Sequence, residues 1–225
     1  MTPMLFIVST PIGNLEDITF RAVNTLQSVD LIAAEDTRHT RKLTRHYQIR
    51  TPLTSYFEHN KIQKAAYLIR LMTEGKKVAL VTDAGTPGIS DPGYRLVKLA
   101  YDNGIPVTVV PGPCALIAAL SLSGLPSHEF IFQGFLPVKS AARRKKLELL
   151  KNETRTVIFY ESPHRIVKVL EDLIAVLNDP PVVCAREITK KFEEVLRGTA
   201  SDILETFKKK KPKGEFVLLV SFLKK

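Results

Sequence analysis

Met4-Leu5-Phe6-Ile7-Val8-Ser9-Thr10-Pro11-Ile12-Gly13-Asn14-Leu15-Glu16-Asp17 is the stretch from which the fold is read. Five consecutive apolar residues run into a loop punctuated by proline and glycine, and an amphipathic stretch follows from Thr19 to Leu26. A short unbroken apolar run bounded by turn residues is the signature of a strand covered on both faces. The alternation then continues. Val29–Ala34 reads as a strand, Thr37–Tyr47 as a basic helix, Glu58–Met72 as a helix and Lys77–Val81 as a strand. Tyr94–Tyr101 is helical, Pro106–Val110 extended, and Ala115–Leu122 a helix rich in small residues. Strands separated by helices make the first half an α/β unit with a mostly parallel sheet.

The second half is patterned differently. Phe130–Phe132, Thr156–Tyr160, Val182–Ala185, Glu193–Gly198 and Phe216–Ser221 read as strands, with fewer helices between them: Ala141–Leu150, Ile166–Leu177 and Ser201–Phe207. Successive strands without an intervening helix imply hairpins and a mixed sheet. A length of 225 residues accommodates one large domain or two compact ones, and the change of pattern favours two. The boundary falls after Pro111-Gly112-Pro113, giving an N-terminal α/β lobe over 1–113 and a C-terminal mixed lobe over 114–225. Two such lobes would leave a cleft suited to a small molecule.

Composition narrows the class. Hydrophobic residues at 44% and charged ones at 25% exclude a mainly disordered chain. The soft run from Cys114 to Leu125 is too short to span a bilayer. Met4–Val8 is too short for a signal-peptide core and lacks a basic flank. Cys114 and Cys184 have no metal-ligand spacing, so reduced thiols in a soluble, cytoplasmic protein without a membrane partner are expected. The net charge is +10, of which residues 1–112 carry +3 and residues 113–225 carry +7. The excess is clustered. No acid lies between Thr37 and Phe57, where Arg38, Arg41, Lys42, Arg45 and Arg50 fall. Lys139, Arg143, Arg144, Lys145 and Lys146 form a second cluster, and Lys208–Lys211 with Lys213 a third. One such cluster serves solubility alone; three together form the footprint of a polyanion partner.

Three loops follow strands of the first half: Ser9–Asp17, Thr82–Gly93 and Pro111–Cys114. Ligands of open parallel sheets bind beyond the carboxyl ends of strands, and glycines let backbone amides approach them. Turn formation alone also uses glycine and proline. The second loop goes beyond that need, with three Gly, two Pro and two Asp in twelve residues. No G-x-G-x-x-G or P-loop signature occurs, and the five histidines fall in no metal-binding pattern, so no metal is expected. What remains fits a cofactor held by backbone and apolar contacts.

Leu5–Thr19 resembles the opening of the tetrapyrrole-methylase superfamily, and within it the branch that methylates the cytidine ribose 2′-hydroxyl in small-subunit (16S) ribosomal RNA. The similarity continues through Ala33–Arg38, Thr82–Gly88, Val110–Pro113, Phe159–Arg165, Arg186-Glu187 and Gly214–Phe216. It covers nearly the whole chain with its motifs in order. One departure is that members often carry a further C-terminal helical segment, whereas this chain stops soon after the Phe216–Phe222 strand. The resemblance implies two αβα lobes, S-adenosyl-L-methionine bound in the cleft between them, and a homodimer. By the same analogy Ile12, Asp83, Gly85, Thr86, Cys114 and Ala115 contact the cofactor, completed by positions near Tyr160 and Ile188.

Methyl transfer is an in-line displacement that positioning can largely accomplish, and a general base on the weakly nucleophilic hydroxyl would add about 10²–10⁴-fold. Glu35, Asp36 and Glu161 end predicted strands and are the candidate bases; each could instead cap a helix or pair with Arg38 or Arg165. Arg38, Arg41, Lys42 and Arg45 have helical spacing and are the candidate RNA contacts, to free ribosomal RNA or an assembled small subunit. Two other readings fit part of the pattern: a methyltransferase of corrin-type tetrapyrroles, which are polycarboxylates, and a non-catalytic RNA-binding assembly protein.

Overall fold

A computed structural model describes residues 4–222. The backbone separates into two compact units, one ending at Cys114 and the other beginning at Ala115.

The first unit is a five-stranded sheet of β1 (Met4–Val8), β2 (Leu31–Ala34), β3 (Leu53–Ser55), β4 (Lys77–Val81) and β5 (Val107–Val110). The strand order is β3-β2-β4-β1-β5 and every pair is parallel. Its connecting helices are α1 (Phe20–Ser28), α2 (Thr37–His46), α3 (Lys61–Thr73) and α4 (Tyr94–Asp102). The chain steps one way across the sheet from β1 to β3 and the other way from β3 to β5. Right-handed crossovers therefore send α1 and α2 to one face and α3 and α4 to the other. The packing agrees. Ala22, Leu26 and Leu43 cluster with Val8, Ile32, Ala34 and Val81, whereas Leu68, Met72 and Leu96 cluster with Leu5, Ile7, Val78 and Leu80. Alternate residues of each strand thus serve opposite layers, which is why the strands are apolar throughout. Truncating Leu26 or Leu68, both fully buried, to Ala would cost about 2–5 kcal/mol.

The second unit carries β6 (Phe130–Phe135), β7 (Thr156–Glu161), β8 (Pro181–Arg186), β9 (Glu194–Thr199) and β10 (Phe216–Val220), in the order β6-β7-β10-β8-β9. Only β6 and β7 are parallel, so this sheet is mixed, and β8 and β9 pair antiparallel. Helices α6 (Ser140–Glu148), α7 (Ile166–Leu177) and α8 (Ala200–Lys209) cover one face through Leu147, Leu170 and Ile203 against Val157, Phe159 and Leu218. Helix α5 (Ala115–Ser123) packs against β7, β8 and β10, from the opposite face.

The basic cluster around Arg143 is a correction. Arg143 is 3% exposed, and its guanidinium lies 2.6 Å from the buried Asp172 carboxylate, which Arg144 also reaches at 2.6 Å. Arg143 is therefore an internal counter-charge and cannot take part in a polyanion footprint. Strand β3 was not anticipated, and α3 begins at Lys61 rather than Glu58, after a turn in which Asn60 Oδ1 accepts the Phe57 N–H at 2.8 Å. Among the described residues no helix is long and apolar enough to cross a membrane. Cys114 and Cys184 are free thiols.

Candidate functional site

Because all five strands of the first sheet are parallel, the carboxyl ends of β1, β2, β4 and β5 share one edge. The chain leaves β1 toward β2 on one side and leaves β4 toward β5 on the other. A reversal of this kind opens a crevice at the sheet edge, where ligands of such folds bind.

The loops beyond those strands are stitched to one another. Thr10 and Gly85 exchange backbone hydrogen bonds at 2.9 and 3.0 Å, joining the first loop to the second. Thr10 Oγ1 donates to the Thr82 carbonyl at 3.1 Å. The Ser9 and Thr86 hydroxyls lie 2.9 Å apart, and Thr86 Oγ1 donates to the Pro113 carbonyl of the third loop at 3.2 Å. Gly85 has φ +83, a left-handed conformation that favours glycine, and a Cβ there would lie 3.5 Å from Ile12 Cγ2. Ile12, Gly85, Thr86 and the Pro113–Cys114 peptide are thereby gathered at one place.

Carboxylates crowd the neighbouring part of this edge. Asp83 Oδ1 accepts the Asp36 N–H at 3.0 Å, and Glu35 Oε2 accepts the Asp83 N–H at 3.4 Å. Burial raises the Glu35 pKa, with the charges of Asp83 and Asp36 adding to the effect. Asp91, farther along the same loop, is pushed up to about 7 by burial and then by the charges of Glu35 and Asp83. Asp36 behaves in the opposite way. Its side chain caps α2 by accepting the Arg38 N–H at 2.8 Å, and the Arg38 guanidinium bonded to it holds its carboxyl well below the usual range. Among the described residues, no group of three or more His, Cys, Asp or Glu side chains is arranged to hold a metal ion.

Helix α2 starts from that cap. Thr40, Leu43 and Thr44 face the unit's interior, and Arg38, Arg41, Lys42 and Arg45 are all exposed. Spacings of three and four place these cations along one side.

In the second unit, Tyr160 lies on β7, its hydroxyl accepting the Leu116 N–H at 3.2 Å near Ala115 at the start of α5, and its ring packs edge-on against Phe132. Ile188 is buried in the turn after β8, whose carboxyl end lies at the same sheet edge as that of β7. Glu161 does not accompany Tyr160. Adjacent strand residues face opposite sides, and Glu161 lies among the helices, 2% exposed, bonded by the Ser162 N–H at 2.8 Å and 3.3 Å from Arg165. Burial raises its pKa despite these partners. Its geometry is that of a buried structural pair.

A family model described as tetrapyrrole (corrin/porphyrin) methylases matches residues 4–204. The chain belongs to the tetrapyrrole methylase family. Among its relatives, the ribosomal RNA small subunit methyltransferase I of Thermotoga maritima is 50% identical, over 96% of this chain and 97% of the relative. The protein of the same name from Escherichia coli O157:H7 is 52% identical, over 96% of this chain and 77% of the relative. Solved methylases share the fold at low identity. The methyltransferase CobJ superposes with a TM-score of 0.71 at 18% identity, covering 97% of this chain and 93% of its own. A uroporphyrin-III C-methyltransferase from Thermus thermophilus, complexed with S-adenosylhomocysteine, gives 0.66 at 18% identity over 97% of each chain.

Within this tetrapyrrole methylase, Asp91 belongs to the carboxylate cluster and was passed over by sequence reasoning. It stands in the glycine- and proline-rich loop already singled out, as the second of its two aspartates. That surplus carboxylate was the available signal.

Proposed function

We propose that the protein transfers a methyl group from S-adenosylmethionine to the 2′-hydroxyl of a cytidine ribose in small-subunit (16S) ribosomal RNA, acting as a cytoplasmic homodimer. The observation that carries this reading is 50% identity, over 96% of the chain, to a methyltransferase named for that RNA. The sheet-edge loops support it. Burial and neighbouring carboxylate charges hold the Glu35 and Asp91 pKa values up, and Asp83 stands beside both. S-adenosylmethionine bears a sulfonium and an ammonium against one carboxylate, so the donor set fits a ligand of net positive charge. Ile12 offers an apolar wall, and Gly85 and Thr86 offer backbone beside it.

Bound there, the cofactor would supply a methyl group on a sulfur that departs as a neutral thioether as the carbon–oxygen bond forms. The chain's own residues do the rest. The stitched loops fix the donor's position, so that orientation provides most of the acceleration. Glu35, with its pKa raised by burial, takes the proton released by the acceptor hydroxyl. The cations of α2 hold the RNA backbone.

The test incubates the protein with labelled S-adenosylmethionine and offers free ribosomal RNA, assembled small subunits and a corrin-type tetrapyrrole in parallel. Label on a cytidine ribose supports the reading; label on the tetrapyrrole, or none anywhere, overturns it. Glu35→Gln is expected to lower turnover by about 10²–10⁴-fold, far more than it weakens cofactor binding. Turnover equal to that of the native chain would remove Glu35 from the reaction.

A further inference from the structure

Beside α2 the first unit has a depression of about 310 Å³, lined by Arg41, Thr44, Arg45, Ile49, Thr51 and Leu53. Its construction is specific. After α2 the chain turns through Gln48 at φ +54, and the Ile49 N–H returns to the Thr44 carbonyl at 2.8 Å, setting Ile49 as a buried apolar floor. Thr51 Oγ1 donates to the Leu26 carbonyl at 2.6 Å and pins the rim to α1. Thr44 Oγ1 donates to the Arg41 carbonyl at 3.3 Å. Both hydroxyl hydrogens are thus committed to the protein, leaving oxygen lone pairs as acceptors. No acid lies between residues 37 and 57, and among the described residues neither Arg41 nor Arg45 is in an ion pair. Two uncompensated guanidinium groups, an apolar floor and hydroxyl acceptors match a phosphate, a base and a ribose hydroxyl in turn. A volume near 310 Å³ is the lower end of what small-molecule sites occupy.

Position matters as much as chemistry. Arg45 lies nine residues beyond Asp36 on the same helix, so at about 1.5 Å per residue the depression is roughly 14 Å from the carboxylate edge. That is too far for the acceptor nucleotide itself and close enough for a neighbour on the same strand.

We infer that this depression seats one unpaired nucleotide of the RNA, a few positions from the methyl acceptor, with its phosphate between Arg41 and Arg45 and its base against Ile49 and Leu53. The inference rests on the ribosomal RNA reading above and adds a second anchoring point, which sets the register of the strand.

Zero-length ultraviolet crosslinking of the native chain to unmethylated small subunits, with mapping of the joined residue and nucleotide, tests it. The expected product joins one unpaired nucleotide other than the acceptor to a residue within 49–53. Arg41→Gln/Arg45→Gln should lose that product and weaken subunit binding about tenfold or more, as loss of a well-made nucleotide contact does, with the S-adenosylmethionine Kd unmoved as the check on folding. Arg45→Gln alone should give a smaller loss in the same direction. Crosslinks confined to paired nucleotides, or a double variant binding within about twofold of the native chain, overturn the inference and leave the methylation reading standing. A native chain that binds the cofactor but neither binds nor labels small subunits or free ribosomal RNA overturns both.

Discussion

The Asp83 carboxylate accepts the backbone N–H of Asp36 at 3.0 Å, tying the loop after β4 to the residue that caps α2. One side chain thereby joins the carboxylate edge to the basic helix. Asp83→Asn retains an oxygen acceptor and removes the charge, whereas Asp83→Ala removes both. We expect Asn to weaken S-adenosylmethionine binding while RNA affinity stays near native. Ala should weaken both, with a cap-related loss of about 1 kcal/mol in stability. Calorimetric titration with each ligand separates the two; equal effects from both variants would refute the joint role.

Asp91 gives a pH signature. Its pKa is about 7 in the folded chain against an ordinary 3.8, so folding favours the protonated form. The sign follows from linkage: the stabilisation is complete below pH 4 and is lost as pH rises to 7 and above. Asp91→Asn removes a charge that is costly only when ionised. The variant should melt higher than the native chain at pH 8 and level with it near pH 4. A chain of this size shifts about 2–4 °C per kcal/mol. Thermal melts at the two pH values measure it, and a constant offset would contradict the assignment.

Glu35 and Glu161 are both strand-end acids with raised pKa values, yet their variants should fail differently. Glu161→Gln leaves Arg165 without its acid partner among the helices of the second unit. It should lower the melting temperature and leave turnover per folded molecule near native. Glu35→Gln should show the converse. Turnover normalised to the folded fraction separates the two.

Asp172 is the stability prediction. Burial alone would raise its pKa, but bonds from Arg144 and Arg143 overcome that and lower it. Asp172→Ala strands the 3%-exposed Arg143 and should cost about 3–5 kcal/mol. Arg144→Ala, at an exposed partner, should cost less than about 1 kcal/mol. Denaturant unfolding gives both values, and similar costs would mean that the buried pair is not the dominant contact.

The sheet elements were legible because parallel strands covered on both faces must be apolar at every position, as Met4–Val8 and Lys77–Val81 are. Leu53–Ser55 was not, since a three-residue edge strand after Pro52 carries too little pattern to read. Glu161 could have been set apart from Tyr160 by strand parity alone. The loop that holds Asp91 was legible, but neither the environment of Asp91 nor that of Arg143 was. What perturbs Asp91 are residues 35 and 83, and what buries Arg143 is an aspartate 29 positions away, so both depend on folding that local sequence does not reveal.

The Thr10–Gly85 exchange is made entirely by main-chain atoms, and that bears on which substitutions the loops can absorb. That pair of bonds would outlast a change of the Thr10 side chain, whereas the hydroxyl bonds of Thr10 to Thr82 and of Thr86 to Pro113 would not. Main-chain bonding of this kind keeps the two turns in register while the residues beside them change.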